Sequence, residues 1–374
     1  MENAELLLLK QEFDPAAATI DPWDVTYLGE KLKLRNYQYN ETEVKEYFPA
    51  DSTVQGTFRV YENLFGIRFE EVRGAPVWSP DVRLYRVTNA DDGVTVGYLY
   101  LDLYPREGKY GHFATFPVIT GRMKNGTWSV PVTIIVGNFP ASQGDKPGLL
   151  TIDDIETLFH EGGHALHCLL TTVPYGSISG FNTEWDFVET PSQTIEEWTW
   201  DPDVLTAISG HYSDPSRKIP KELRDRIIAS RDSDIGYYYS RQLANALEDM
   251  EYHTAQGPVD VTAVSHRLYR EITGIPQPES THQPASFGHL MGGYDAGYYG
   301  YLWSKVYALE ITETFRQEGM LNQTTGMRLR QALLSQGNLE DGSALLFNFL
   351  GHEPGTAAFN KRLGIVDGAM NKPV

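Results

Sequence analysis

The sequence predicts a mostly helical fold with a small β-sheet, an α+β class, and three observations carry the prediction. Between Val82 and Val136 apolar residues alternate or run together as in strands, and from Thr151 onward they recur at helical spacing. One of those helical stretches also holds His160-Glu161-Gly162-Gly163-His164. With 374 residues and 41% hydrophobic content the chain can bury a sizeable core. The expected organisation is a single domain, with a mixed helix and sheet lobe over about 1–150 and a helical lobe over about 151–374.

Taken in order, Asp21-Pro22-Trp23-Asp24 reads as a turn entering a helix, because proline at the first helical position has no N–H to leave unsatisfied. Helix broken by a loop runs from there to about Lys45, with Tyr27, Leu28, Leu32 and Leu34 as apolar positions, and a second helix covers roughly Val54 to Phe65. Val82 to Val87 and Val94 to Leu103 form a hairpin across the Asn89-Ala90-Asp91-Asp92-Gly93 turn. Val130 to Val136 is a third strand, whose Pro131 stands near its start, where a ladder tolerates it. Helices are then expected over about Glu222 to Ser230, Asp234 to Thr254, Val259 to Ile272, Tyr298 to Gln317, Thr325 to Leu334 and Ser343 to Leu350. The exception is Gly274 to Gly293, which carries Pro276, Pro278 and Pro284; a segment of that length in a compact domain is either disordered or functional.

The formal net charge of −19 argues against a nucleic-acid partner, since an acidic surface repels phosphates and no basic run offsets it. One cysteine, Cys168, cannot form an internal disulfide, and its apolar neighbours suit a small buried hydrophobe better than a nucleophile. The Leu6 to Leu9 run follows acidic Glu2 and Glu5 and is too short for a signal h-region or a membrane span. A cytoplasmic protein with no membrane partner is the default expectation.

The histidine motif carries the chemistry. Thr151 and Asp154 mark a helix start, and Ala165, Leu166, Leu169 and Leu170 continue the apolar stripe to about Thr171, so the motif sits mid-helix. Four-residue spacing places both imidazoles on one face, where they can converge on one zinc ion. Two adjacent glycines there cost about 1 kcal/mol each relative to alanine, so close approach of another backbone or of substrate is expected. A catalytic zinc needs a third protein ligand, and Asp186, Glu189, Glu196 and Glu197 are the nearby carboxylates; spacing alone does not choose among them. His167 lies seven residues after His160 on the same face and suits the core or a supporting role; His112, beside Gly111, could face a cleft.

The run from His160 to His167, then Ser179-Gly180, Asp186-Phe187-Val188-Glu189, Pro191-Ser192-Gln193 and Glu197-Trp198, resembles the thimet oligopeptidase (M3) family of zinc peptidases. Asp102-Leu103-Tyr104-Pro105-Arg106-Glu107-Gly108-Lys109 and His289 to Trp303 extend the likeness, which spans about Trp23 to Gly364. The resemblance implies a zincin-like catalytic domain hydrolysing peptide bonds in oligopeptides, with Glu189 as third ligand beside His160 and His164. It implies Glu161 as general base, Tyr301 and His289 as transition-state stabilisers, and Tyr294 and Tyr298 as substrate contacts. Phenol hydroxyls can donate to a developing oxyanion, and the glycines at 292, 293, 297 and 300 let a loop close over substrate.

Two features depart from the family pattern. Gly162 stands where relatives usually have a bulky residue, and the large N-terminal helical region that usually forms the far wall of a channel is missing. The chain is then a naturally short member or a fragment, and self-association into a homo-oligomer is one way to replace the wall. A dipeptidyl carboxypeptidase shares the whole zinc site, and a peptide-binding protein that kept its metal is the non-enzymatic alternative.

Overall fold

The computed structural model describes residues 2–365. The chain begins with α1 (Glu2–Gln11), α2 (Pro22–Tyr37), α3 (Glu41–Val44) and α4 (Ala50–Phe65). Seven strands follow: β1 (Ile67–Glu71), β2 (Arg83–Asn89), β3 (Thr95–Asp102), β4 (Ala114–Ile119), β5 (Arg122–Lys124), β6 (Thr127–Ser129) and β7 (Val132–Val136). Then come α5 (Ile152–Leu169), α6 (Thr190–Glu196), α7 (Pro202–Ile208), α8 (Lys221–Ser230), α9 (Ile235–Thr254) and α10 (Val261–Thr273). The last elements are α11 (Gly300–Glu318), α12 (Gln323–Leu329) with a π turn at Arg330–Leu334, α13 (Gly342–Leu350) and α14 (Ala357–Arg362). The expected α+β class, mostly helical with a small sheet, is what forms.

Two compact units share the chain: one takes the stretches up to Asn40, Asp225–Trp303 and from Lys361, the other takes Glu41–Arg224 and Ser304–Asn360. In the second unit five strands lie in the order β1-β2-β3-β7-β4. The β2–β3 pair is the expected hairpin, antiparallel with Tyr85 opposite Leu99, and Gly93 turns it at φ +70°. β7 runs parallel to β3 (Leu101 opposite Ile135), and β4 closes the order antiparallel to β7 (Thr115 opposite Ile135). β4 escapes the period-2 pattern because an edge strand has one ladder only and tolerates Pro117.

Helix α5 packs on β7, β3 and β4 and on α6. Thr151 caps it as expected: its hydroxyl accepts from the Asp154 N–H at 3.1 Å, and the Asp154 carboxylate accepts from the Thr151 N–H at 2.9 Å. Most of α5 is buried, including Leu158, Phe159, Leu166 and Leu169, so it is the central helix of its unit. Nearby, Trp198 is fully buried edge-on to Phe315 (4.8 Å) and donates to the Met320 carbonyl at 2.7 Å.

The first unit has its own core of Leu6, Leu9, Ile20, Val25, Leu28 and Ile275. The leucine run is thus an amphipathic helix that turns Leu6 and Leu9 inward and Leu8 outward. No helix among the described residues is long and apolar enough to cross a membrane. Helix α2 ends at Tyr37, where Gln38 takes a left-handed conformation (φ 53°) and caps it, and α3 follows after a short loop, so the stretch to about Lys45 is the helix broken by a loop that the sequence suggests. The proline-rich stretch after α10 is ordered, with short 3-10 turns at Gln283–Ala285 and Gly288–Met291.

Candidate metal centre and active site

Both glycines of the motif answer to packing. A Cβ on Gly163 would stand 2.6 Å from Ser192 Cα and 2.9 Å from the Pro191 carbonyl, so α6 approaches α5 backbone to backbone. A Cβ on Gly162 would run into the hydroxyl of Tyr61, a buried residue of α4 whose hydroxyl lies 3.5 Å from the Phe159 carbonyl. This close approach brings the Glu189 segment to the histidines.

His160 Nε2 and His164 Nε2 lie 3.2 and 3.0 Å from the same oxygen, Glu189 Oε2. Among the described residues these three form the one group of donors suited to a metal, their ligand atoms all within 4.8 Å of one another. Two imidazole nitrogens and a carboxylate oxygen fit a zinc-type catalytic set with a position left open. Glu189 is 2% exposed, and Ser192 Oγ donates to its Oε2 at 2.8 Å, which fixes the rotamer. Burial disfavours a charged Glu189, but His164 and His160 outweigh it and hold its pKa well below the usual carboxylate value. Burial likewise opposes charge on His160, yet bonds to Glu189 and Glu196 hold its pKa well above the ordinary value.

Behind His160 the support continues. Its Nδ1 meets Glu196 Oε1 at 2.7 Å, an arrangement that fixes the ring with Nε2 turned toward Glu189. Lys305 of α11 donates to Glu196 at 2.8 Å and to Glu197 at 3.1 Å, and Arg316 donates to Glu197 at 3.1 Å. Of the four carboxylates left open by spacing, Glu189 thus faces the Nε2 atoms, Glu196 the far side of His160, and Glu197 the cations of α11.

Glu161 is 5% exposed, and Thr115 Oγ1 of β4 donates to its Oε2 at 2.7 Å. The same hydroxyl lies 3.0 Å from the Glu161 carbonyl. β4 therefore lies against α5 at the motif and has no strand on its outer side among the described residues.

The tyrosine-rich segment belongs to the first unit. His289 stands amid four aromatic rings, with centroids 5.5 Å from Phe287, 5.5 Å from Tyr294, 5.1 Å from Tyr298 and 5.6 Å from Tyr301. The Tyr301 hydroxyl is 3.3 Å from His289 Nε2, and the Tyr294 and Tyr301 rings stack at 5.1 Å. Tyr298 is 7% exposed, its hydroxyl donating to Gln242 Oε1 at 2.9 Å and accepting from Asn245 Nδ2 at 3.3 Å.

The profile of peptidase family M3 matches residues 2–365. The chain belongs to peptidase family M3. It is 39% identical to the thimet-like oligopeptidase of Dictyostelium discoideum over 349 residues, 92% of this chain and 52% of that protein. It is 34% identical to the dipeptidyl carboxypeptidase of Salmonella typhimurium over 342 residues, 90% of this chain and 50% of that one. This M3 chain thus spans about half the length of the curated relatives it matches. Its fold is similar to that of a solved Pyrococcus furiosus carboxypeptidase, with TM-score 0.53 at 12% identity, covering 97% of this chain and 68% of the other.

The remaining histidines and the cysteine of the M3 chain are elsewhere engaged or buried. His167 is fully buried, and burial pushes its pKa down to about 3, so it is a neutral core imidazole. His211 is buried edge-on to Tyr47 at 5.1 Å, while His112 is exposed beside Tyr110. Burial pushes the Cys168 thiol up to about 12, which leaves it inert as expected. Sequence reasoning had no means to single out Thr115, which reaches Glu161 from 46 residues upstream, or to give Glu196 its place behind His160.

Proposed function

We propose that this chain carries the catalytic site of a zinc-dependent peptidase that hydrolyses peptide bonds in oligopeptides. The observation that carries the reading is the meeting of His160 Nε2 and His164 Nε2 on Glu189 Oε2, at 3.2 and 3.0 Å, one residue from a buried glutamate. His160, His164 and Glu189 would hold the ion, and when bound it supplies Lewis acidity that polarises the scissile carbonyl and acidifies water. Glu161 takes the proton from the attacking water and passes it to the leaving amine. The Thr115 hydroxyl, 2.7 Å from Glu161 Oε2, holds that carboxylate in one orientation while it waits for the proton. Glu196 keeps the imidazole of His160 turned toward the donor cluster. The outer edge of β4, which has no neighbouring strand among the described residues, offers backbone N–H and C=O groups on which an extended peptide can lie as an added strand.

For the tyrosine-rich segment the reading rests on its residue types and on membership of the family. Tyr301 and His289 donate to the oxyanion that develops on hydrolysis and Tyr294 contacts the substrate, whereas Tyr298, expected as a second contact, is buried with its hydroxyl held by Gln242 and Asn245 and supports the rings of His289 and Tyr301. The name of the Salmonella relative, 34% identical, supports a second reading, release of C-terminal dipeptides. Cleavage of one peptide with a free and with an amidated C-terminus separates the two, since an endopeptidase accepts both.

The decisive experiment is metal analysis with a peptidase assay on wild type and Glu161→Gln. Zinc bound equally by both with activity lowered about 100-fold or more in the variant is expected from removal of a general base. Equal activity in the two proteins would refute the mechanism.

A further inference from the structure

We propose that Asp249 is the positioning residue of the turn that carries Tyr294, Tyr298 and Tyr301, its carboxylate serving as the fixed acceptor on which the backbone of that turn folds. The inference rests on the reading of this segment as part of the catalytic apparatus. Asp249 lies on α9 with its side chain fully buried. Its two oxygens take two different backbone donors, the Ala296 N–H at 2.9 Å on Oδ1 and the Tyr298 N–H at 3.0 Å on Oδ2. Bonds from N–H groups to an ionised carboxylate are about twice as strong as neutral ones, and burial away from water strengthens them further.

The turn needs such a hold. Ala296 adopts φ +56°, the left-handed region that a Cβ disfavours, and it does so between the two N–H groups that Asp249 binds. His253, one helical turn along α9, places Nδ1 2.8 Å from the Asp249 backbone carbonyl and 2.9 Å from Oδ1, beside the oxygen that takes the Ala296 N–H.

The stripe continues toward the start of α9. Gln242, Asn245 and Asp249 fall at i, i+3 and i+7, one face of the helix. Asn245 accepts from the Tyr269 hydroxyl at 2.6 Å and donates to the Tyr298 hydroxyl at 3.3 Å, while Gln242 accepts from Tyr298 at 2.9 Å. Tyr298 is thereby tied at its backbone by Asp249 and at its phenol tip by Asn245 and Gln242. Its ring lies 5.1 Å from His289 and 5.1 Å from Tyr301, so the stripe sets where those two groups stand. Asp249 touches none of the proposed catalytic groups' reacting atoms and acts through Tyr298.

The test uses the full chain loaded with zinc and compares wild type with Asp249→Asn, in which one acceptor oxygen becomes an NH2 facing a backbone N–H. Hydrogen exchange should quicken at residues 294–301 while that of α5 stays unchanged, and kcat should fall about tenfold or more with KM nearly constant, as misplacement of reacting groups predicts. Metal content per chain should not change. Unaltered exchange at 294–301, or loosening of the segment with wild-type kcat and an active-site role for Tyr301 shown by a slow Tyr301→Phe variant, would overturn the proposal. If Asp249→Asn does not fold, the amides of Ala296 and Tyr298 are read in the wild-type chain instead: slow exchange at both supports the anchor, and exchange as fast as that of an unbonded amide at either overturns it. A loosened segment together with a Tyr301→Phe variant of wild-type kcat would support the anchor and refute the catalytic reading of the tyrosines.

Discussion

Residues 162 and 163 are both glycine, and the two positions forbid a side chain for different reasons. At Gly162 the obstacle is the far end of Tyr61, a side chain, whereas at Gly163 it is the backbone of Ser192 and Pro191, which cannot swing aside. Gly163→Ala gains about 1 kcal/mol of helix propensity and loses about 1–3 kcal/mol or more to overpacking, so it should lower the melting temperature and displace α6 with Glu196. Gly29→Ala in α2, where an added Cβ meets nothing within 4 Å, should instead raise stability by about 0.5–1 kcal/mol. Chemical denaturation of the two variants beside wild type checks the opposite signs, and a stabilised Gly163→Ala would contradict the packing account. The need for a close approach was legible in the double glycine; which chain approaches was not, because Ser192 is 29 residues away and nothing local names it.

Among the elements, β3 and α9 carry buried carboxylates of opposite pH sense. Asp102, at the end of β3, is 3% exposed; burial raises its pKa, but Arg106, the Trp78 N–H and Lys109 outweigh burial and bring it to about 2 from the ordinary 3.8. Lys109 also donates to the carbonyls of Asp102, Tyr104 and Gly137, so the family-like segment from Asp102 to Lys109 is a staple that folds the connection to β4. A depressed pKa contributes stability that is present above pH 3.8 and lost as the pH falls through 2, here about 2 kcal/mol. Glu248 of α9 is fully buried, and burial pushes its pKa up to about 7 from 4.5. A raised carboxyl pKa means the reverse: the folded state holds a proton the unfolded state has released, so stability present below pH 4.5 is lost, by about 3 kcal/mol, as the pH rises through 7. Urea midpoints across pH should show Asp102→Asn losing the advantage of wild type above pH 4, and Glu248→Gln flattening the fall between 4.5 and 7. Parallel curves for wild type and either variant would sink the assignment for that residue. Of these elements the β2–β3 hairpin, α5, α9 and α10 were legible, being long and periodic or marked by turn and cap residues. β1, β4, α6 and α7 were not, since each is short and has no continuous apolar run to mark it as the valine and isoleucine run of β7 is marked.

For the whole molecule, the two units have separate cores and the candidate metal donors belong to one of them, the unit of Glu41–Arg224 and Ser304–Asn360. Calorimetry should therefore show two transitions, and a chelator should lower only the one belonging to that unit. At free zinc about 100 times the dissociation constant the difference is about 2.7 kcal/mol. Equal shifts of both transitions, or one transition in which calorimetric and van't Hoff enthalpies agree, would contradict separate unfolding. Neither unit is a continuous stretch of chain, which is why local patterns could not announce them: a boundary at Asn40 or Trp303 is defined by contacts that close between segments far apart in sequence.

The histidine motif, its helix and its cap were determined by the sequence alone, because helical spacing and the chemistry of imidazole are local: four residues put His160 and His164 on one face, and Thr151 with Asp154 closes the helix start. Membership of family M3 was equally legible, spread as it is over motifs from Asp102 to Trp303. Only the tertiary structure decided which neighbours these residues meet. It set Glu189 against both Nε2 atoms and Glu196 behind His160, brought Thr115 of an edge strand onto Glu161, and folded the turn of Tyr298 on Asp249. Each of those contacts joins segments 25 to 49 residues apart, and the physical reason is common to all. A buried carboxylate or imidazole must find its partner in whatever chain packing brings alongside, and packing is a property of the whole core.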